Sequence, residues 1–273
     1  GTLNIDGTLG NEVTFQGDRL ESLYDDVAGQ FYGIQLYYAK ESKINYCIIK
    51  NGGVGIDVIN EDPSNVDYTL RLTNSEITNC GYMGMRVTSS AHVKAENCII
   101  ARNNLHAVGV FASDFSFNHC HLVGFSSAGS QTPAVGITNE AYDYEGEFLY
   151  VTDINEGEIT NSIIDGNLDT EFVIDTIDQT NVLTFNFNIR NNLIKSETIY
   201  NDAFYGVPNS NLWNEDPYFV NPSENNFLYY SVSPLHGGGD GTYFNTIGEP
   251  AEGIGINGVV RAAIPDIGAY EIP

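Results

Sequence analysis

The densest set of groups able to do chemistry lies between Glu140 and Glu158. Seven carboxylates there (Glu140, Asp143, Glu145, Glu147, Asp153, Glu156, Glu158) interleave with Tyr142, Tyr144, Phe148 and Tyr150. Aromatic faces stack on sugar rings, and carboxylates accept bonds from hydroxyls, bind calcium or act as acid and base. Tyr142, Asp143, Tyr144, Glu145, Glu147 and Asp153 form the candidate ligand-binding set. The same pattern also suits a solvated acidic loop whose aromatics cover a core.

Other constellations are sparser. A glycoside hydrolase needs two carboxylates roughly 5 to 10 Å apart across a groove. Asp57, Asp165, Asp169, Glu171 and Asp175 fall at outward or turn positions that could meet, but spacing selects no pair, so the catalytic residues are unassigned. His119 and His121 straddle Cys120 and should both face outward, as surface histidines or as two ligands lacking a third. Gly124 to Gly129 narrowly misses the G-x-S-x-G elbow. Gly253-Ile-Gly-Ile-Asn-Gly258 satisfies G-x-G-x-x-G, but too few residues follow for the helix that a dinucleotide site requires. No cofactor is expected; calcium is the one cation that the acidic stretch could take.

The elements that must position these groups are legible as a repeat. One phrase returns six times between Lys43 and Ser196: Tyr46-Cys-Ile-Ile49, Asn74-Ser-Glu-Ile77, Asn97-Cys-Ile-Ile100, His119-Cys-His-Leu122, Asn161-Ser-Ile-Ile164 and Asn191-Asn-Leu-Ile194. The steps between them are 28, 23, 22, 42 and 30 residues, the period of a solenoid. On a strand the small residue and the aliphatic one face the same side. Cys47/Ile49, Ser75/Ile77, Cys98/Ile100, Cys120/Leu122 and Ser162/Ile164 are therefore inward pairs. A second apolar pair follows each: Ile56/Val58, Met85/Val87, Val108/Val110, Val135/Ile137 and Phe172/Ile174. No helical pattern separates the strands, so the simplest solution is an all-β parallel β-helix of roughly nine to eleven turns. Asn74, Asn97, Asn161 and Asn191 share one position and should stack as an amide ladder at a corner. The longer steps carry the loop from Asn60 to Asp67 and the acidic stretch itself. Solenoid insertions tend to gather on a binding face.

Composition narrows the partners. The formal net charge of −25 over 273 residues makes nucleic acid or an anionic membrane an improbable partner. No apolar run is long enough for a transmembrane helix. Four cysteines make no disulfide framework. Cys47, Cys98 and Cys120 occupy inward small positions as buried thiols, with Cys80 the expected exception. The chain reads as one domain, 1–273, with regular coils over about 1–196 and an irregular C-terminal cap over about 197–273. It opens straight into a strand at Leu3 to Leu9, so native sequence upstream, including a leader, is expected.

The closing segment carries a resemblance. Asp216-Pro-Tyr-Phe-Val-Asn-Pro222, Phe227-Leu228, Ser233-Pro234 and Asp266-Ile-Gly-Ala-Tyr-Glu271 resemble the end of right-handed β-helix repeat proteins of the pectate-lyase-like superfamily, closest to secreted or surface members common in Bacteroidetes. Gly7 to Gly17 resembles their entry turns, whereas His236-Gly-Gly-Gly departs from their usual acidic residue and glycine. The resemblance implies a right-handed, single-stranded parallel β-helix in an extracellular or cell-surface setting. It also implies that a lyase would pair calcium-binding carboxylates with a basic Arg or Lys, for which Arg71, Arg86, Lys94 and Arg102 are the few candidates within the coils. The function expected first is glycan binding or adhesion without catalysis, with a glycan or surface protein as partner. A polysaccharide lyase or glycoside hydrolase is the alternative, and a structural segment of a larger surface protein is the third.

Overall fold

The computed structural model describes residues 1–62, 67–125, 131–142, 146–178, 182–243 and 253–273. Short strands wind into a parallel β-helix with three sheets. The first has seven strands from Asn4–Asp6 to Phe185–Arg190, the second eight from Val13–Phe15 to Leu212–Trp213, and the third six from Ile34–Tyr37 to Phe172–Asp175. Every pairing within the three sheets is parallel, each strand bonding to its equivalent one coil on.

The expected inward pairs hold: Cys47, Ile49, Ser75, Ile77, Cys98, Ile100, Cys120, Leu122, Ser162 and Ile164 are all buried. The second set of pairs builds the third sheet, where Val58, Val87, Val110, Ile137 and Ile174 stack in register. The first sheet adds a ladder that the repeat phrase does not include: Ile44, Leu72, Ala95, Phe117, Ile159 and Ile189. All four cysteines are free and buried, Cys80 included. Cys80 is therefore no exception: its backbone N–H is held 2.9 Å from Asn103 Oδ1 beneath the coil corner.

Among the described residues the coil has seven rungs in its first sheet and eight in its second, rather than nine to eleven. Residues expected to add turns go elsewhere. Those between Val135–Thr138 and Ile154–Thr160 build an antiparallel hairpin, Glu140–Tyr142 with Phe148–Val151, and those after about 197 mostly leave the coil.

The corner between the first and second sheets explains the asparagines. Tyr46, Asn74, Asn97, His119, Asn161 and Asn191 all have positive φ, from 47° to 57°, a region in which Asn is favoured among residues with a side chain. The expected amide ladder forms in part: Asn97 Nδ2 donates to Asn74 Oδ1 at 3.2 Å and Asn74 Nδ2 to Asn45 Oδ1 at 2.9 Å, but His119 interrupts it and Asn161 Nδ2 lies 3.2 Å from His119 Nε2 instead.

The segment after 197 closes the end of the coil through Leu212–Trp213, stacked on Leu193–Ile194. It then turns back as a strap along the outer face of the second sheet. Outward-facing Ile99, Ala101, Val123, Ile163 and Leu193 pack there against Phe227, Tyr229, Leu235, Ile256, Ile267 and Ala269 as a second core. At the far end, a Cβ on Gly258 would meet Leu9 Cδ2 at 2.6 Å, so the strap reaches the first coil.

His119 and His121 are corrected by this packing. Both point off the coil as expected, yet both are fully buried under the strap. His121 Nδ1 accepts from Ala269 N–H at 2.9 Å. Gly268 passes so close to the ring, at φ +98°, that a Cβ would lie 2.6 Å from His121 Cε1.

The resembling segment Asp266 to Glu271 is itself a clasp. Asp266 accepts from Tyr229 Oη (2.7 Å), Gly237 N–H (2.7 Å) and Ile272 N–H (2.8 Å). Glu271 accepts from the N–H groups of Ala262 and Asp266, both at 2.9 Å, and from Arg261.

Candidate functional site

The acidic, aromatic stretch divides between two places. Its hairpin leaves Tyr142 and Glu147 exposed, with the Tyr142 and Phe148 rings edge to face at 6.2 Å. Asp143, Tyr144 and Glu145 lie outside the described residues. Asp153 accepts from Thr184 N–H at 2.6 Å and so pins the neighbouring coil.

Glu156 and Glu158 lie on the outer face of the first sheet. Glu158 takes Ser116 Oγ (2.9 Å) and Asn188 Nδ2 (2.7 Å). Glu156 takes Tyr68 Oη at 3.0 Å and lies 2.8 Å from His92 Nε2. Burial alone would raise Glu156, but His92, Tyr68 and the Lys94 charge together more than reverse it. Arg71, on the strand Leu70–Thr73 that Tyr68 leads into, lies 4.1 Å over the Tyr68 ring, and Lys94 lies 5.6 Å from it. Arg71 also pairs with Glu41 at 2.5 Å, and the Lys94 charge acts on Glu156, so both of these basic residues considered for lyase chemistry do meet carboxylates. However, burial and then Glu156 push the Tyr68 hydroxyl far up, which leaves it a proton donor to Glu156 rather than a base. Arg86 is committed to Asp57 through two bonds of 2.8 and 2.7 Å.

A different place joins charge to open volume. Where the last strands of the second sheet end, a groove of about 820 Å³ is lined by Asp165, Gly166, Asp169, Lys195, Glu197, Asn214, Glu215 and Asp216. Phe125, Pro217, Tyr218, Phe219, Pro222 and Tyr230 complete the lining. The floor is set by register. Ala101 pairs with Val123 and Val123 with Asp165, so a carboxylate occupies a position that is small and apolar in the two preceding coils.

Asp165 is 7% exposed. It has no ion-pair partner among the described residues. Burial raises it to about 6; the Gly166 N–H and the Lys195 charge oppose the shift, and the Asp216 charge adds to it. Behind the floor lies Glu171, fully buried and raised by burial to about 7. Its carboxylate accepts Ala134 N–H and Leu168 N–H, both at 2.7 Å. It fits there because Gly124 and Gly166 are paired glycines: a Cβ on either would lie within 2.6 Å of a Glu171 oxygen. Lys195 Nζ donates to Gly166 O at 2.8 Å and ties the floor to the next coil.

The lining residues from Asn214 to Tyr230 belong to the closing segment. Asn214 exchanges bonds with the Ser196 backbone, accepting N–H at 2.9 Å and donating to O at 3.0 Å. Asp216 Oδ1 accepts Tyr218 N–H at 2.7 Å in a turn where Tyr218 has φ 54°. That turn leads into the hairpin Phe219–Asn221 with Asn226–Tyr229 and leaves Tyr218 and Tyr230 exposed.

Two of the carboxylates considered for hydrolase chemistry, Asp165 and Asp169, are thereby brought together, with Glu171 beneath them. Asp57 and Asp175 are not. Lys195, Asp216, Tyr218 and Tyr230 were missed by sequence reasoning. The one available signal was Asp165, a charge standing in the Ala101–Val123 ladder.

Among the described residues, no group of three or more His, Cys, Asp or Glu is arranged to hold a metal ion. No helix there is long and apolar enough to cross a membrane. Comparison with known proteins finds no family model that matches the chain and no curated protein that matches it.

Proposed function

We propose that this chain is an extracellular or cell-surface β-helix, right-handed as in the pectate-lyase-like proteins that its closing segment resembles, and that it binds glycan in the Asp165–Tyr218 groove without turning it over. The observation that carries this reading is the convergence of Asp165, Asp169 and Asp216 with Tyr218 and Tyr230 in the lining of one groove. Carboxylates accept hydroxyl hydrogen bonds, and exposed aromatic rings offer faces on which sugar rings stack. The coil supplies a rigid floor and the strap a fixed wall, so little ordering is lost on binding. The test is a glycan array followed by titration calorimetry. Tyr218→Ala with Tyr230→Ala should weaken the best array ligand by about tenfold at unchanged melting temperature. An array with no hits, or unaltered affinity in the variant, counts against the reading.

One observation favours a second reading, glycoside hydrolysis. Burial, with a contribution from the Asp216 charge, raises Asp165 to about 6, so a carboxyl able to donate a proton near neutral pH shares the groove with a second carboxylate. Release of reducing ends from an array ligand, abolished in Asp165→Asn, would establish it.

A further inference from the structure

The charge around the groove says more about the ligand. Five carboxylates line it, Asp165, Asp169, Glu197, Glu215 and Asp216, against Lys195 alone. The Lys195 ammonium is engaged with the Gly166 carbonyl, so it is aimed into the floor rather than at a ligand. Asp169, Glu197, Glu215 and Asp216 are exposed at the rim, and Asp165 is a nine-tenths-buried carboxylate without an ion-pair partner among the described residues. A buried carboxylate lacking a cation is costly, and a site of one sign in a low-dielectric wall concentrates ligands of the other. The aromatic wall reinforces this, since ring faces attract ammonium groups.

We infer that the groove selects glycans bearing free amines, oligomers of unacetylated amino sugar, over neutral or uronate glycans. This inference rests on the glycan-binding reading and narrows it. A sugar ammonium over Asp165 would supply the direct ion pair that Lys195, engaged with Gly166, does not make, while neighbouring rings stack on Tyr218 and Tyr230. A uronate would set its carboxylate against all five acids, an arrangement that like-charge repulsion disfavours.

The experiment is calorimetric titration of the full chain, in the presence of EDTA, with three probes: β-1,4-linked glucosamine hexamer, its N-acetylated counterpart and a galacturonate hexamer. The glucosamine hexamer should bind at least about tenfold tighter than the N-acetylated one, weaken as salt is raised, and leave the galacturonate without measurable heat. The triple variant Asp169→Asn, Glu197→Gln, Glu215→Gln changes only exposed rim residues, and it should erase most of that preference while melting as the parent does. Equal binding of the two amino-sugar hexamers would overturn the amine inference and leave the glycan reading standing. Failure of all three probes, together with an empty glycan array, would remove both. Displacement of the glucosamine hexamer by a lysine-rich peptide of equal affinity would overturn the identification of the ligand as a glycan. A preference that survives the triple variant would overturn the placement in this groove.

Discussion

At the scale of single residues, buried ionisable groups make stability depend on pH in two opposite senses. Asp165 and Glu171 bind protons more tightly folded than unfolded. Their stabilising contribution is complete below about pH 4 and is lost as pH rises through their folded values near 6 and 7. His119 and His121 run the other way. Burial, then the Arg261 charge, holds both down, His121 to about 3, so their contribution is present above about 6.5 and is lost as pH falls toward the folded value. Asp165→Asn should therefore stabilise the protein relative to the parent by on the order of 2 kcal/mol more at pH 8 than at pH 5, read from urea midpoints. An unchanged difference would mean that Asp165 is not desolvated. The thiols give a simpler check. Burial pushes Cys47 to about 11 and Cys80 to about 12. No cysteine should react with a thiol reagent in the native state, and all four free thiols should react in urea.

At the scale of elements, the strap is buttoned to the coil at a few polar points. Asn97 is the foremost: besides its ladder rung it donates to Ile254 O at 2.7 Å and accepts from Arg261 Nη2 at 2.6 Å. Asn97→Ala removes three bonds, leaves buried Arg261 short of an acceptor and places alanine at φ 55°. It should cost about 2 to 4 kcal/mol. Hydrogen exchange should locate the loss in Ile99–Ala101, His121–Gly124 and Ile163–Gly166, the strands beneath the strap, before the first sheet responds. Gly268→Ala should act at the same place by driving a Cβ into His121. Inside the coil, Phe117→Ala should cost about 3 to 5 kcal/mol, because the side chain is among the largest fully buried ones and the stacked rungs on both sides hold the cavity open.

At the scale of the whole molecule, a solenoid held only by neighbour-to-neighbour contacts is free to unfold from either end. Here the strap ties the last coils to the first. The single tryptophan, Trp213, sits on the final rung of the second sheet and reports on the far end. Its fluorescence and far-UV circular dichroism should trace one coincident urea transition. In Asn97→Ala, where the strap is loosened, the two should separate, with tryptophan changing first.

What the sequence by itself determined is the coil. A period-two alternation fixes which side chain faces inward, and repetition one coil later fixes what it stacks on, so Cys47/Ile49 through Ser162/Ile164 and the asparagine corner were readable from spacing alone. Contacts between equivalent positions are local in the repeat, and local patterns survive in one dimension. Tertiary structure alone decided the strap and everything that it makes. His119 and His121 read as surface residues because the strand pattern says only that they leave the coil, not what covers them. The outward apolar ladder of Ile99, Ile163 and Leu193 was the trace of that cover. The groove likewise draws on Asp165, Lys195 and Asp216 from separate parts of the chain, and the wall that closes it comes from irregular backbone. No periodicity predicts its course, because it is set by the surface on which it packs.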